Sequence, residues 1–146
     1  MKYTAIASSS PSPTYIAETQ SLAACAIPDS LLGFLKISNG ARIAPEDTEI
    51  PGHADLALNY VFAIDPSNAR YDLARVIKTM RSRIPGDAVP FAQDNLGNLY
   101  VFGRSHPNPV YFWNHEENDV GFGEDDYEPN MRTVSASLVN FLRMLE

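Results

Sequence analysis

Cysteine is almost missing from this chain: Cys25 stands alone among 146 residues, so no intramolecular disulfide can form, as expected of a reducing compartment. Long apolar runs are missing too. A membrane span needs roughly 20 consecutive apolar residues, and no stretch approaches that. Lys2 followed by Ala5-Ile6-Ala7 superficially matches an export signal, but such a signal needs about 7–15 apolar residues and this stretch is shorter. The expectation is a soluble, cytoplasmic protein. Chemistry-bearing motifs are equally scarce. There is no HxxxH or HExxH pair, no GxGxxG, no phosphate-loop lysine and no GxSxG.

The most informative deficit is one of positive charge. No Lys or Arg occurs between Arg104 and Arg132, whereas Glu116, Glu117, Asp119, Glu124, Asp125, Asp126 and Glu128 all fall there. The formal net charge of −7 comes from 18 acids against 11 bases, so these seven carry all of it and the remainder balances. Such a field repels nucleic acid and anionic membrane and attracts basic partners.

What is present is ordinary globular composition, 45% hydrophobic, at the usual length of one domain. Residues 1–12 read as a flexible leader, with a Ser-Pro breaker cluster at 8–13, and 13–146 as the domain. Ser12-Pro13 suits the start of a helix running to Cys25. Pro28 opens a second helix, with Leu31, Phe34 and Leu35 on its apolar face, widened by Leu32 and Ile37; Asn39-Gly40 closes it. Residues 41–54 read as loop with one short strand. Leu56 to Ile64 alternates with period two and reads as one strand. A third helix over 69–83 sets Leu73, Val76, Ile77 and Met80 against Arg70, Arg75, Lys78, Arg81 and Arg83, a basic face that reads as solvated or paired. Strands follow around Val89–Phe91, Leu99–Gly103 and Val110–Asn114, the first two joined by the turn Asp94-Asn95-Leu96-Gly97-Asn98. The acidic stretch reads as a long loop, and residues 135–145 as a last helix. Helices at both ends and a meander between give an α+β fold with a central, mostly antiparallel sheet flanked by helices.

No catalytic site emerges. Cys25 lies at a helix end among Ala24, Ala26 and Ile27 and reads as a buried free thiol, because a reactive cysteine needs an electropositive setting. His53, His106 and His115 are scattered, and Glu124-Asp125-Asp126 lacks the alternation of a calcium loop. A run of contiguous carboxylates is a poor acid–base pair, so a metal-dependent hydrolase is a remote alternative. The expectation is no enzyme, no cofactor and no metal.

Four segments resemble, in order, the SUKH superfamily. Ile27-Pro28-Asp29-Ser30-Leu31-Leu32 through Asn39-Gly40 is similar to its opening helix. Ile84-Pro85, Val89-Pro90-Phe91-Ala92-Gln93-Asp94 and Gly97-Asn98 resemble its central strand, turn and strand. Val110-Tyr111-Phe112-Trp113-Asn114-His115-Glu116 is similar to the next strand, and Ser137-Leu138 with Phe141-Leu142 and Leu145 to the closing helix. The departures, Ile27, Ala41 and Leu138, keep apolar or small character. The resemblance implies a non-catalytic α+β domain. Bacterial members look like immunity proteins that neutralise polymorphic toxins, many of them nucleases, by direct stoichiometric binding; other members act as regulatory interaction modules or scaffolds. The matched residues read as scaffold, so the expected partner surface comes from charge: Trp113, Phe122 and Tyr127 as aromatic contacts among Glu116, Glu117, Asp119, Glu124, Asp125, Asp126 and Glu128, facing a basic toxin domain. Neither nucleic acid nor membrane is an expected partner, and the sequence leaves the oligomeric state open.

Overall fold

The computed structural model describes residues 1–84, 87–115, 122–123, 126–127 and 131–146. Strands β1 (Tyr3–Thr4), β2 (Ala41–Ile43), β5 (Tyr60–Val61), β6 (Val89–Gln93), β7 (Leu99–Phe102), β8 (Val110–Trp113) and β11 (Met131–Ser135) form a seven-stranded sheet in the order β1-β2-β5-β6-β7-β8-β11. Every ladder in it is antiparallel. Two hairpins stand apart, β3 (Thr48–Ile50) with β4 (His53–Leu58), and β9 (Phe122–Gly123) with β10 (Asp126–Tyr127). Helices α1 (Pro13–Leu22), α2 (Asp29–Ile37), α3 (Leu73–Met80) and α4 (Leu138–Arg143) complete the α+β architecture.

Register assigns the two faces. Arg42, Tyr60, Gln93, Leu99, Trp113 and Met131 are successive cross-strand partners, so their side chains share one face near one end of the sheet. The adjacent row, Val61, Ala92, Tyr100, Phe112 and Arg132, points the other way. There Phe141 of α4 stacks 5.5 Å from Tyr100 and 5.3 Å from Phe91, and the Tyr100 hydroxyl donates to Ala57 O of β4 at 2.7 Å. Helix α4 pairs with α2, and α1 pairs with α3. Leu31, Leu35, Phe62, Phe91, Phe102, Trp113 and Phe141 lie wholly within one apolar cluster. Each such side chain is worth about 1.5–3 kcal/mol over its exposed state, which is why no disulfide or metal is needed.

Several expectations give way here. The leader is built into the fold: β1 pairs with β2, the terminal ammonium donates to Met144 O at 2.9 Å, and Asn39 Nδ2 donates to Ser9 O at 3.1 Å. Residues 41–54 carry two whole strands and the start of a third. The alternating run 56–64 is two strands in two sheets, broken at Asn59, whose amide donates to Gln93 O while its carbonyl accepts from Ile43 N. Helix α1 stops at Leu22, α3 is confined to Leu73–Met80, and Ile37, expected on the apolar face of α2, is 89% exposed. The acidic stretch contains the short hairpin β9–β10, and β11 follows it.

Candidate functional site

The end of the sheet carrying the Arg42–Met131 row gathers most of the charged and polar features. At its centre is the turn between β6 and β7. Asp94 is buried, and its Oδ1 accepts from Leu96 N at 2.9 Å and Asn98 N at 2.8 Å. Asn98 Nδ2 donates to Asp94 Oδ2 at 2.9 Å, which fixes the orientation of the Asn98 amide. Its Oδ1 then accepts from the His115 backbone N–H at 3.0 Å and stands 2.8 Å from His115 Nδ1. Nδ1 therefore carries a proton, and in the neutral ring Nε2 is the open acceptor. The imidazole lies over Gly97, whose φ of +90° only glycine adopts freely. This chain of bonds clamps His115, two residues past β8, onto the turn. It also leaves Leu96 at the tip, 65% exposed, and Asn95 donates to Asp47 Oδ2 at 3.1 Å.

The acidic stretch departs from this clamp. Trp113 on β8 and Met131 on β11 are direct partners, so residues between them are a long excursion between neighbouring strands, leaving and rejoining the sheet at the same end. Phe122, Asp126 and Tyr127 lie on the β9–β10 hairpin. Glu116, Glu117, Asp119, Glu124, Asp125 and Glu128 lie outside the described residues. Trp113 requires a correction. It was expected as a surface contact, but it is 0% exposed, packed in the core with Arg83 5.3 Å above its ring, and it cannot touch a partner docked on the folded surface. Its neighbour Leu99 in the same row is likewise buried, so the indole completes the sheet face instead of the excursion.

At the opposite side of the same row is a group that charge counting along the sequence missed. Arg42 and Arg70 both stack on Tyr71, and Tyr60 meets Tyr71 edge-on at 4.9 Å. Burial pushes the Tyr60 phenol above its usual range, with the Arg70 charge opposing. The alternation of β2 and the pairing Arg42↔Tyr60 were the missing information, because they join residues 18 positions apart.

The remaining candidates are structural. A groove of about 720 Å³ is lined by Cys25, Pro28, Arg104, His106, Pro107 and Val139. Burial pushes the Cys25 thiol up, Asp87 adds to this and Arg104 opposes it, a balance that disfavours the thiolate. His53 Nε2 is 3.0 Å from Val134 O, a bond between hairpin and sheet edge. Among the described residues no three His, Cys, Asp or Glu side chains come together as a metal site would require, and no helix is long and apolar enough to cross a membrane.

No curated protein and no solved structure matches the chain. A family match does exist and spans residues 10–144, from just before α1 through α4. The chain therefore belongs to the SMI1 / KNR4 family, SUKH-1.

Proposed function

We propose that this protein is an intracellular immunity protein that neutralises a toxin, of the nuclease kind, by direct one-to-one binding without turnover. Membership of the SUKH-1 family supports a protein partner. The observation that carries the finer reading is the concentration of the whole net charge into one excursion between paired strands. A nuclease domain grips phosphate and is positive around its active site, so seven carboxylates with no intervening cation both steer to that surface and cover it. The contact residues are Glu116, Glu117, Asp119, Phe122, Glu124, Asp125, Asp126, Tyr127 and Glu128, with Leu96 as the exposed apolar tip of the turn to which His115 is bonded.

The test is co-expression with the product of the neighbouring gene. A one-to-one complex with suppressed toxicity is the expected result. Glu124→Lys, Asp125→Lys and Asp126→Lys together are expected to weaken that complex at least about tenfold at low salt. Unchanged affinity removes the acidic excursion from the interface. Recovery of housekeeping regulators with no toxin would instead make the protein a regulatory scaffold of the same family.

A further inference from the structure

Arg42 and Arg70 belong to distant parts of the chain, one on β2 and one in the link before α3, yet their guanidinium carbons stand 5.0 and 5.3 Å from the centre of one ring, Tyr71. That ring is itself braced. Tyr60 meets it at 89°, and Tyr60 in turn meets the buried Phe62 edge-on at 5.3 Å, so the platform rests on the core. Both arginines are exposed, and the Tyr60 hydroxyl lies beside Arg70 and Gln93. The ion pairs among the described residues, Arg104–Asp87 and Arg132–Asp55, involve neither of them. Two like charges thus share one aromatic seat with no ion-paired carboxylate among the described residues, in a chain that has acids in excess. Stacking on a ring engages the guanidinium face and leaves the N–H donors along its edge open. Those donors match the two oxygens of a carboxylate.

We infer that Arg42, Arg70, Tyr71 and Tyr60 form a second contact point for the partner, one that receives an acidic segment of that protein. This rests on the reading above that the end of the sheet binds a protein. Arg42 and Trp113, the strand residue after which the acidic stretch begins, lie four strand spacings apart on one row, roughly 19 Å, a distance within the span of one protein interface. Protein carboxylates suit the patch better than a nucleic-acid strand. A strand repeats its charge at every nucleotide and would run toward the seven acids, whereas a short acidic segment ends at the patch. The partner's surface is therefore bipolar: cations opposite residues 116–128, carboxylates opposite Arg42 and Arg70.

The experiment needs no identified partner. Isotope-labelled full-length protein is titrated with acetyl-tetraglutamate amide, acetyl-tetraglutamine amide and hexathymidylate, while the Arg Nε–Hε and Tyr71 ring signals are followed by NMR. Tetraglutamate is expected to shift Arg42, Arg70 and Tyr71, and tetraglutamine to leave them in place. The Tyr71 shift, which the variants still report, should vanish in Arg42→Gln/Arg70→Gln and weaken several-fold in Arg42→Lys/Arg70→Lys, which keeps the charge and removes the fork. No shift with tetraglutamate, or a stronger response to hexathymidylate, overturns the inference. The triple lysine variant of the acidic excursion separates the two readings, because it should still bind tetraglutamate at the patch. If that variant loses the toxin while tetraglutamate never touches wild-type Arg42, only this inference falls.

Discussion

Two glycines show how differently single residues constrain this fold. Gly40 follows the C-cap of α2 at φ +81°, and a Cβ there would stand 2.9 Å from Ala63 Cβ and 3.0 Å from Ile6 Cβ. Both neighbours are first side-chain atoms fixed to backbone, so they cannot swing away. Gly33 lies inside α2 with nothing within 4 Å of an added Cβ. Gly40→Ala is therefore expected to destabilise by about 2–4 kcal/mol, through strain and clash together. Gly33→Ala is expected to stabilise by about 0.5–1 kcal/mol, because alanine loses less freedom in a helix. Urea unfolding of the two variants reads both; equal signs would contradict this account. The left-handed backbone at Gly40 was legible in the sequence, although α2 itself stops earlier, where Ser38 turns extended. The reason Gly40 tolerates nothing larger was not, because Ile6 and Ala63 reach it from distant strands and the supposed leader.

At the level of elements, the local signals that survived are those a helix or hairpin makes with itself. Ser12 caps as read, and Ser137, expected inside a helix over 135–145, instead caps a shorter one; they accept from Tyr15 N and Asn140 N at 3.1 Å. Their cost should differ with what each helix carries. Helix α4 presses Phe141 onto Phe91 and Tyr100, whereas α1 buries only Thr19 fully. Ser137→Ala is expected to cost about 1–2 kcal/mol and Ser12→Ala about 0.5–1 kcal/mol, read as shifts in the urea midpoint. A larger loss for Ser12→Ala would mean that α1, not α4, seals the sheet. The elements that were illegible leave no periodic trace. Strand β1 is two residues long and held by backbone bonds, and β11 shows the sequence Met-Arg-Thr-Val-Ser because it is the sheet edge, with Arg132 and Thr133 exposed. The period-two run through Asn59 kept its alternation while the chain changed sheets, so periodicity alone could not locate the break. Trp113 was misplaced for the reverse reason: its acidic neighbours in sequence outweighed its pairing with buried Leu99, which only the register reveals.

On the scale of the whole molecule, charge is segregated so that association should be governed by long-range attraction. Seven acids without a cation occupy one excursion, and the rest of the chain is balanced. That half of the candidate site was readable by counting. Its positive counterpart was not, because Arg42 and Arg70 become neighbours only when β2 and β5 pair and Tyr71 folds back beside Tyr60. A field of this kind acts before contact, over distances of about 8–10 Å at moderate salt, and fades as salt rises. The association rate with the proposed toxin partner is therefore expected to fall by at least about tenfold between low salt and roughly 0.5 M, with little change in dissociation. Glu124→Lys, Asp125→Lys and Asp126→Lys together should flatten that dependence. Stopped-flow mixing across the salt series measures both slopes. Parallel slopes would place the steering charge elsewhere on the chain, while a flattened slope with unaltered dissociation would show that the excursion guides the encounter and that the grip comes from residues such as Leu96.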